Sequence, residues 1–150
     1  MKGIKKLDGK AVLFFSAVVL VIILDRITKF IIVHNQQGIE VIEGLFNIVM
    51  TTNTGAAFSM LEGYNSILLF IALIVVGVIL FNYPKIPDQR LPVTAFALIT
   101  GGAIGNITDR VMLGYVVDFI NFSFWPSFNV ADSAISIGAV LLIWWIVKKQ

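Results

Sequence analysis

The chain has 150 residues, 58% of them hydrophobic and only 13% charged, with a mean hydropathy of +0.92 and a formal net charge of +2. An ordinary soluble domain has about a quarter of its residues charged, so the composition points to one membrane-embedded domain over 1–150 with little water-exposed mass. The chain has no cysteine and one histidine, His34, which excludes disulfides, thiolate catalysis and multi-histidine zinc sites; apart from Lys29 its lysines sit at the two ends and in one short loop, not in the aromatic-interleaved basic stripe that nucleic acid requires.

A helix needs about 20 apolar residues to cross a hydrocarbon core of roughly 30 Å. The opening run MKGIKKLDGKAVLFFSAVVLVIILDRITKF begins like a signal peptide, but its apolar stretch is longer than a signal core and no Ala-x-Ala-type site follows. It reads as a retained first membrane helix over about 11–33. Near its end Asp25 and Lys29 stand at i,i+4 with Arg26 beside them. The plain reading is a self-neutralising pair at the outer interface with Lys29 snorkelling outward; the sharper one is support of an active site. His34 is expected at the interface.

The next stretch, IEVIEGLFNIVMTTNTGAAFSM, mixes β-branched and aromatic residues broken by Gly44, Asn53 and Gly55. It predicts two or three short strands, a small antiparallel β-cradle over about 38–60, with turns near Gly44 and at 52–55. Asn53 is either a turn residue or an amide that binds a peptide backbone. A second membrane helix follows over 65–81, and the prolines of NYPKIPDQRLP then impose a tight, non-helical connection. The third helix, 91–111, carries a GxxxG spacing within Gly101, Gly102 and Gly105, which lets helix backbones approach closely. Asn106 and Arg110 follow at i,i+4 with Asp109 beside them, an interfacial cluster in which Asp109 pairs with Arg110 or another base.

Asp118 lies in VVDFINF, a run too apolar for a free loop. It reads as a helix N-cap acid or as a carboxyl partly desolvated by Val116, Val117, Phe119 and Ile120, which favours its protonated form. Asp132 opens the fourth helix, 131–147, in FNVADSAI, where Asn129 can serve as N-cap and Asp132 as the N3 residue of a capping box.

Basic residues set the orientation. Lys2, Lys5, Lys6 and Lys10 precede the first span, Lys85 and Arg90 lie between the second and third, and Lys148 and Lys149 follow the fourth. The positive-inside rule therefore places both termini and the 82–90 loop in the cytoplasm, and the 34–64 and 112–130 connections outside. Trp125, Trp144, Trp145, Tyr64 and Tyr115 suit aromatic belts. Acids this close to hydrocarbon are paired, wet or functional. If Asp118 and Asp132 meet, they share one proton, which is the chemistry of an aspartic hydrolase.

Taken in order, the polar boxes Asp25 with Lys29, TTNTGAAF, GGAIGNITDR, VVDFIN and FNVADSAI closely resemble the lipoprotein signal peptidases (signal peptidase II), prokaryotic membrane aspartic peptidases, over essentially the whole chain. The resemblance implies four transmembrane helices, an extracytoplasmic β-cradle and a short helical loop that covers the site. It implies Asp118 and Asp132 as the catalytic pair. Asn53, Gly55, Asn106, Arg110 and Asn129 match positions that hold the substrate backbone and flank the pair, and Asp25, Lys29 and Asp109 match supporting positions. The implied substrate is a diacylglyceryl-modified prolipoprotein cut just before its lipidated cysteine. The implied enzyme uses no metal or cofactor and acts as a monomer among the lipids of the cytoplasmic membrane. One departure is a short connection between the two catalytic boxes, which bears on the lid more than on the chemistry. Two rival readings are a small proton-coupled four-helix transporter and a purely structural membrane subunit. The acids lie near one face and are flanked by Asn/Gly boxes, which counts against the first, and the second leaves them unexplained.

Overall fold

The computed structural model describes residues 8–35, 38–55 and 64–149. Within them the apolar runs form the helices α1 (Gly9–His34), α2 (Asn65–Phe81), α3 (Arg90–Leu113) and α4 (Val130–Lys148). The intervening connections supply the strands β1 (Ile39–Ile42), β2 (Phe46–Asn53), β3 (Val116–Phe122) and β4 (Trp125–Phe128). Local chemistry sets several boundaries. Asp8 accepts a hydrogen bond from the Lys10 backbone to start α1, and α3 stops at Gly114, whose φ of 81° lets its N–H reach back to Arg110 O.

Among the described residues, α1, α3 and α4 are long and apolar enough to cross a membrane. α2, with 17 residues, would reach about 26 Å at 1.5 Å per residue, slightly less than a hydrocarbon core. The large side chains that face outward, such as Phe30, Phe70, Phe81, Val140 and Trp144, are apolar, which suits a lipid solvent better than water.

α3 is the hub. A Cβ on Gly101 would come within 2.9 Å of Val21 Cβ in α1, and one on Gly102 would strike the Ala131 carbonyl oxygen in α4. One on Gly105 would lie 2.9 Å from Asp25 Oδ2. The glycine stripe therefore brings both neighbours against α3 at once, closer than any side chain permits.

The helix ends sort into two sets. Lys10 Nζ donates to the carbonyls of Tyr83 (3.0 Å) and Ile86 (2.6 Å), and Trp145 Nε1 donates to Gln89 Oε1 (3.0 Å). The start of α1, the end of α4 and the 82–89 connection therefore share one end of the bundle, and the sheet and the acids occupy the other.

The sheet is antiparallel in the order β1-β2-β3-β4. The sequence placed the cradle within 38–60; half of the observed sheet comes instead from 116–128. Residues 56–60 of the expected cradle, and Lys2, Lys5 and Lys6, lie outside the described residues. The described parts of both connections hold strands and turns, with no helix among them. β2 turns from β1 at Gly44 (φ 66°) and then carries one extra residue. Ile48 pairs with Ile120 but Thr51 pairs with Asp118, three steps on one strand against two on the other.

Candidate active site

The β2 bulge decides which residues of β2 share a face with Asp118. Thr51 stands opposite Asp118, so Asn53, two residues on, projects from the same face. Thr51 Oγ1 donates to the Asp118 carbonyl (3.2 Å), and Asn53 Nδ2 donates to Asp118 Oδ2 (2.9 Å). Asp118 thus lies inside a strand and caps no helix. The run reads ambiguously because Val116 to Phe119 are all buried, which erases the alternation that marks a strand.

Asp132 arrives from α4. Asn129 caps that helix, its Oδ1 accepting from Asp132 N (2.8 Å) while its own N–H donates to Asp132 Oδ2 (3.3 Å), a complete capping box. Because Asn129 Oδ1 is committed to a backbone donor, its Nδ2 faces the other way and donates to Asp118 Oδ1 at 2.6 Å. One asparagine therefore touches both acids. Asn106 completes the bridge, donating from Nδ2 to Asp132 Oδ1 (2.7 Å) and accepting at Oδ1 from Asn129 (3.2 Å) and Lys29 Nζ (3.3 Å).

Asp132 lines a cavity of about 470 Å³ together with Asn53, Gly55, Asn106, Arg110, β4 residues 125–128 and one face of α4. Asp118 is 1% exposed and lies just behind that wall, under Asn53 and Asn129. Burial, and next the charge of Asp132, push the Asp118 carboxyl up from 3.8 to about 6, against the hydrogen bonds from Asn53 and Asn129 and the charge of Lys29. Arg110 does not pair with Asp109; its Nη2 donates to Gly55 O (3.3 Å), while Gly55 N–H donates to Asn53 Oδ1 (2.9 Å).

Behind the pair lies a second polar cluster. Lys29 does not snorkel outward: it is 3% exposed and pairs with Asp25 Oδ1 (3.0 Å) and Asp109 Oδ2 (2.7 Å). Asp25 Oδ1 also accepts from Ala131 N (3.2 Å), and Asp109 Oδ2 from Val117 N (3.1 Å). Those are the residues immediately before Asp132 and Asp118. Each rear acid thus holds the peptide that carries one front acid.

The sequence reading gave Arg26 no role beyond its place beside Asp25, yet it contacts both rear acids, each at 2.7 Å. A signal was available: two acids at buried helix positions with one lysine call for a second cation. Among the described residues no group of three or more His, Asp or Glu side chains is arranged to hold a metal ion.

Residues 17–148 match the family model for signal peptidase (SPase) II. Curated relatives include the lipoprotein signal peptidases of Halothermothrix orenii, 35% identical over 91% of this chain and 96% of that protein, and of Geobacter sulfurreducens, 43% identical over 91% and 92%. That of Teredinibacter turnerae is 44% identical over 89% of this chain and 86% of its own. Two solved bacterial membrane enzymes, determined by the in meso method, superpose with TM-scores of 0.81 and 0.79 at 34% and 33% identity. The alignments cover 90% and 91% of this chain and 87% and 94% of theirs. With a family model matching 17–148 and curated relatives 35–44% identical over most of both chains, the chain belongs to the signal peptidase II family.

Proposed function

We propose that the protein is an aspartic endopeptidase that removes signal peptides from diacylglyceryl-modified prolipoproteins by cleaving before the lipidated cysteine. The observation that carries this reading is the shared asparagine: Asn129 bonds to Asp118 and Asp132 together, at the edge of a cavity large enough for an extended peptide. Asp132 faces that cavity and acts as base. Asp118, whose proton is held more tightly than a free carboxyl's, acts as acid.

Asp132 takes a proton from water as the oxygen adds to the scissile carbonyl carbon, and Asp118 gives its proton to the carbonyl oxygen. The resulting diol collapses, the C–N bond breaks, and the amine of the cysteine leaves with the proton from Asp132. Asp118 recovers a proton from one hydroxyl, so both acids end as they began. Asn53, Gly55, Asn106 and Arg110 line the cavity and hold the substrate backbone, and Asn129, buried between the two acids, flanks the pair. When that backbone takes the Asn53 amide, Asp118 Oδ2 is uncovered toward the cavity. Asp25, Lys29 and Asp109 support the pair from behind.

The charge distribution supports four membrane spans in the cytoplasmic membrane, with both termini inside and the acids at the outer leaflet. A lipid-anchored cysteine would deliver its peptide bond to that depth. All the named residues come from one chain, which suits a monomer. The test is cleavage of a lipidated prolipoprotein by purified Asp118→Asn and Asp132→Asn variants. Both should be inactive while folded, and an unlipidated precursor should be cut poorly. Full cleavage by either variant refutes the dyad, and equal turnover of the two precursors removes the lipid from the recognition.

A further inference from the structure

We propose that Arg26 is a positioning residue for the acid pair, closing the buried Asp25–Lys29–Asp109 cluster into a neutral four-charge ring that holds the backbone under Asp118 and Asp132. This rests on the peptidase reading above. The ring is explicit in the distances. Lys29 bridges one oxygen of Asp25 (3.0 Å) and one of Asp109 (2.7 Å); Arg26 Nη2 bridges the other oxygen of each, both at 2.7 Å. The oxygens that Lys29 uses are the same ones that accept Ala131 N and Val117 N. Of the oxygens that face Arg26, Asp25 Oδ2 accepts a hydrogen bond from Nη2, whereas Asp109 Oδ1 is buried without a hydrogen bond and meets Arg26 as an ion pair. Arg26 also donates to the Gly105 carbonyl (3.1 Å), on the glycine whose open face admits the Asp25 carboxylate.

Charge makes the same point. Asp25 and Asp109 are 0% and 1% exposed, so neither can be neutralised by water. With Lys29 alone the cluster carries one uncompensated negative charge directly behind two acids that must share a proton. With Arg26 it carries none. The charged groups that face the pair are Asp25 and Lys29 from α1, Asp109 and Arg110 from α3, and the pair itself from β3 and α4. α2 carries no charged residue. Arg26 is the ring member with access to the outside, its side chain 33% exposed, so its loss opens the ring from the rim without emptying the core.

Removing the Arg26 charge leaves the ring net negative, which disfavours ionisation of both front acids. Both limbs of the activity profile should then move to higher pH. The experiment is the pH dependence of kcat/KM on a diacylglyceryl-prolipoprotein. It compares the full-length wild type with Arg26→Met, Arg26→Lys, the charge-compensated Arg26→Met/Asp109→Asn, and an Asp118→Asn control. The inference expects a displaced profile for Arg26→Met, a wild-type position for Arg26→Lys, and a return toward that position, at a lower rate, for the double variant. A wild-type profile for Arg26→Met, or equal displacement by Met and Lys, overturns it. If Arg26→Met is not recovered folded, the Lys and double variants decide: both at the wild-type position sustain the inference, and a displaced double variant overturns it. An inactive Asp118→Asn alongside an unmoved Arg26→Met profile rejects the role of Arg26 alone; an active Asp118→Asn rejects the peptidase reading itself.

Discussion

Asp118→Asn should abolish cleavage and at the same time make the protein more stable at neutral pH. The folded carboxyl titrates near 6 against an ordinary 3.8. At about 1.36 kcal/mol per pH unit, keeping Asp118 ionised at pH 7 costs the folded state roughly 3 kcal/mol. Because the folded protein binds this proton more tightly than the unfolded chain does, the cost is absent in acid. It grows as pH rises from 3.8 to about 6 and is constant above. Asparagine carries no charge, but one of its two polar atoms is a donor. That donor would meet the Nδ2 of Asn53 or Asn129, losing a hydrogen bond and about 1–2 kcal/mol. The net gain is about 1–2 kcal/mol, which for 150 residues is about 2–8 °C in Tm. Thermal unfolding of the two purified proteins in one lipid-detergent system, at pH 7 and at pH 4, measures it. The gain should shrink to nothing or reverse at pH 4. A variant less stable than wild type at pH 7, or a difference that does not change with pH, would refute the argument that Asp118 is held against its own charge.

Asp132→Asn should also lose cleavage, by more than about a thousandfold, yet keep its helix start, because an asparagine oxygen can still accept from Asn129 N–H; thermal unfolding and turnover measured together separate the two effects. Asn129→Ala removes the α4 cap and a donor to Asp118, and should lower stability by about 2–4 kcal/mol in denaturant unfolding and activity by at least about a hundredfold. Gly102→Ala sets a methyl against the Ala131 carbonyl and Ile135, so α4 must move off α3. A loss of about 1–3 kcal/mol is expected, with activity falling too because Asn106 and Asp132 then separate. Lys29→Ala leaves Asp25 and Asp109 sharing one cation in a buried site, a cost of about 3–5 kcal/mol that should appear as loss of folded protein on size-exclusion chromatography.

Asp25 and Asp109 give the site a physical organisation. Each uses one oxygen to hold the amide preceding a front acid and the other to meet Arg26. The front acids sit on different elements, a strand and a helix end, so their relative position depends on a rigid connection between those elements. A buried, hydrogen-bonded charge cluster supplies such a connection, since any displacement breaks ion pairs in a setting where they cannot be replaced by water.

The helices were legible in the sequence because lipid imposes a local requirement: an apolar run long enough to span must satisfy its own backbone, and a helix does so within each segment. The capping box at Asn129 and Asp132 was legible for the same reason, its partners being three residues apart. So was the close-packing role of Gly101, Gly102 and Gly105, since small residues at i and i+4 mark a helix face whatever packs there. The tertiary structure alone decided the rest. That VVDFINF is a strand follows from its pairing with β2; buried on both faces, it carries no period of its own. That Asn53 meets Asp118, 65 residues away, depends on one extra residue in β2 that shifts its register. That Lys29 is buried and Arg26 bridges two acids depends on α3 supplying Asp109, roughly eighty residues along the chain. A segment's periodicity records how it meets its surroundings, whereas the partner of a buried charge is set only when distant segments pack together.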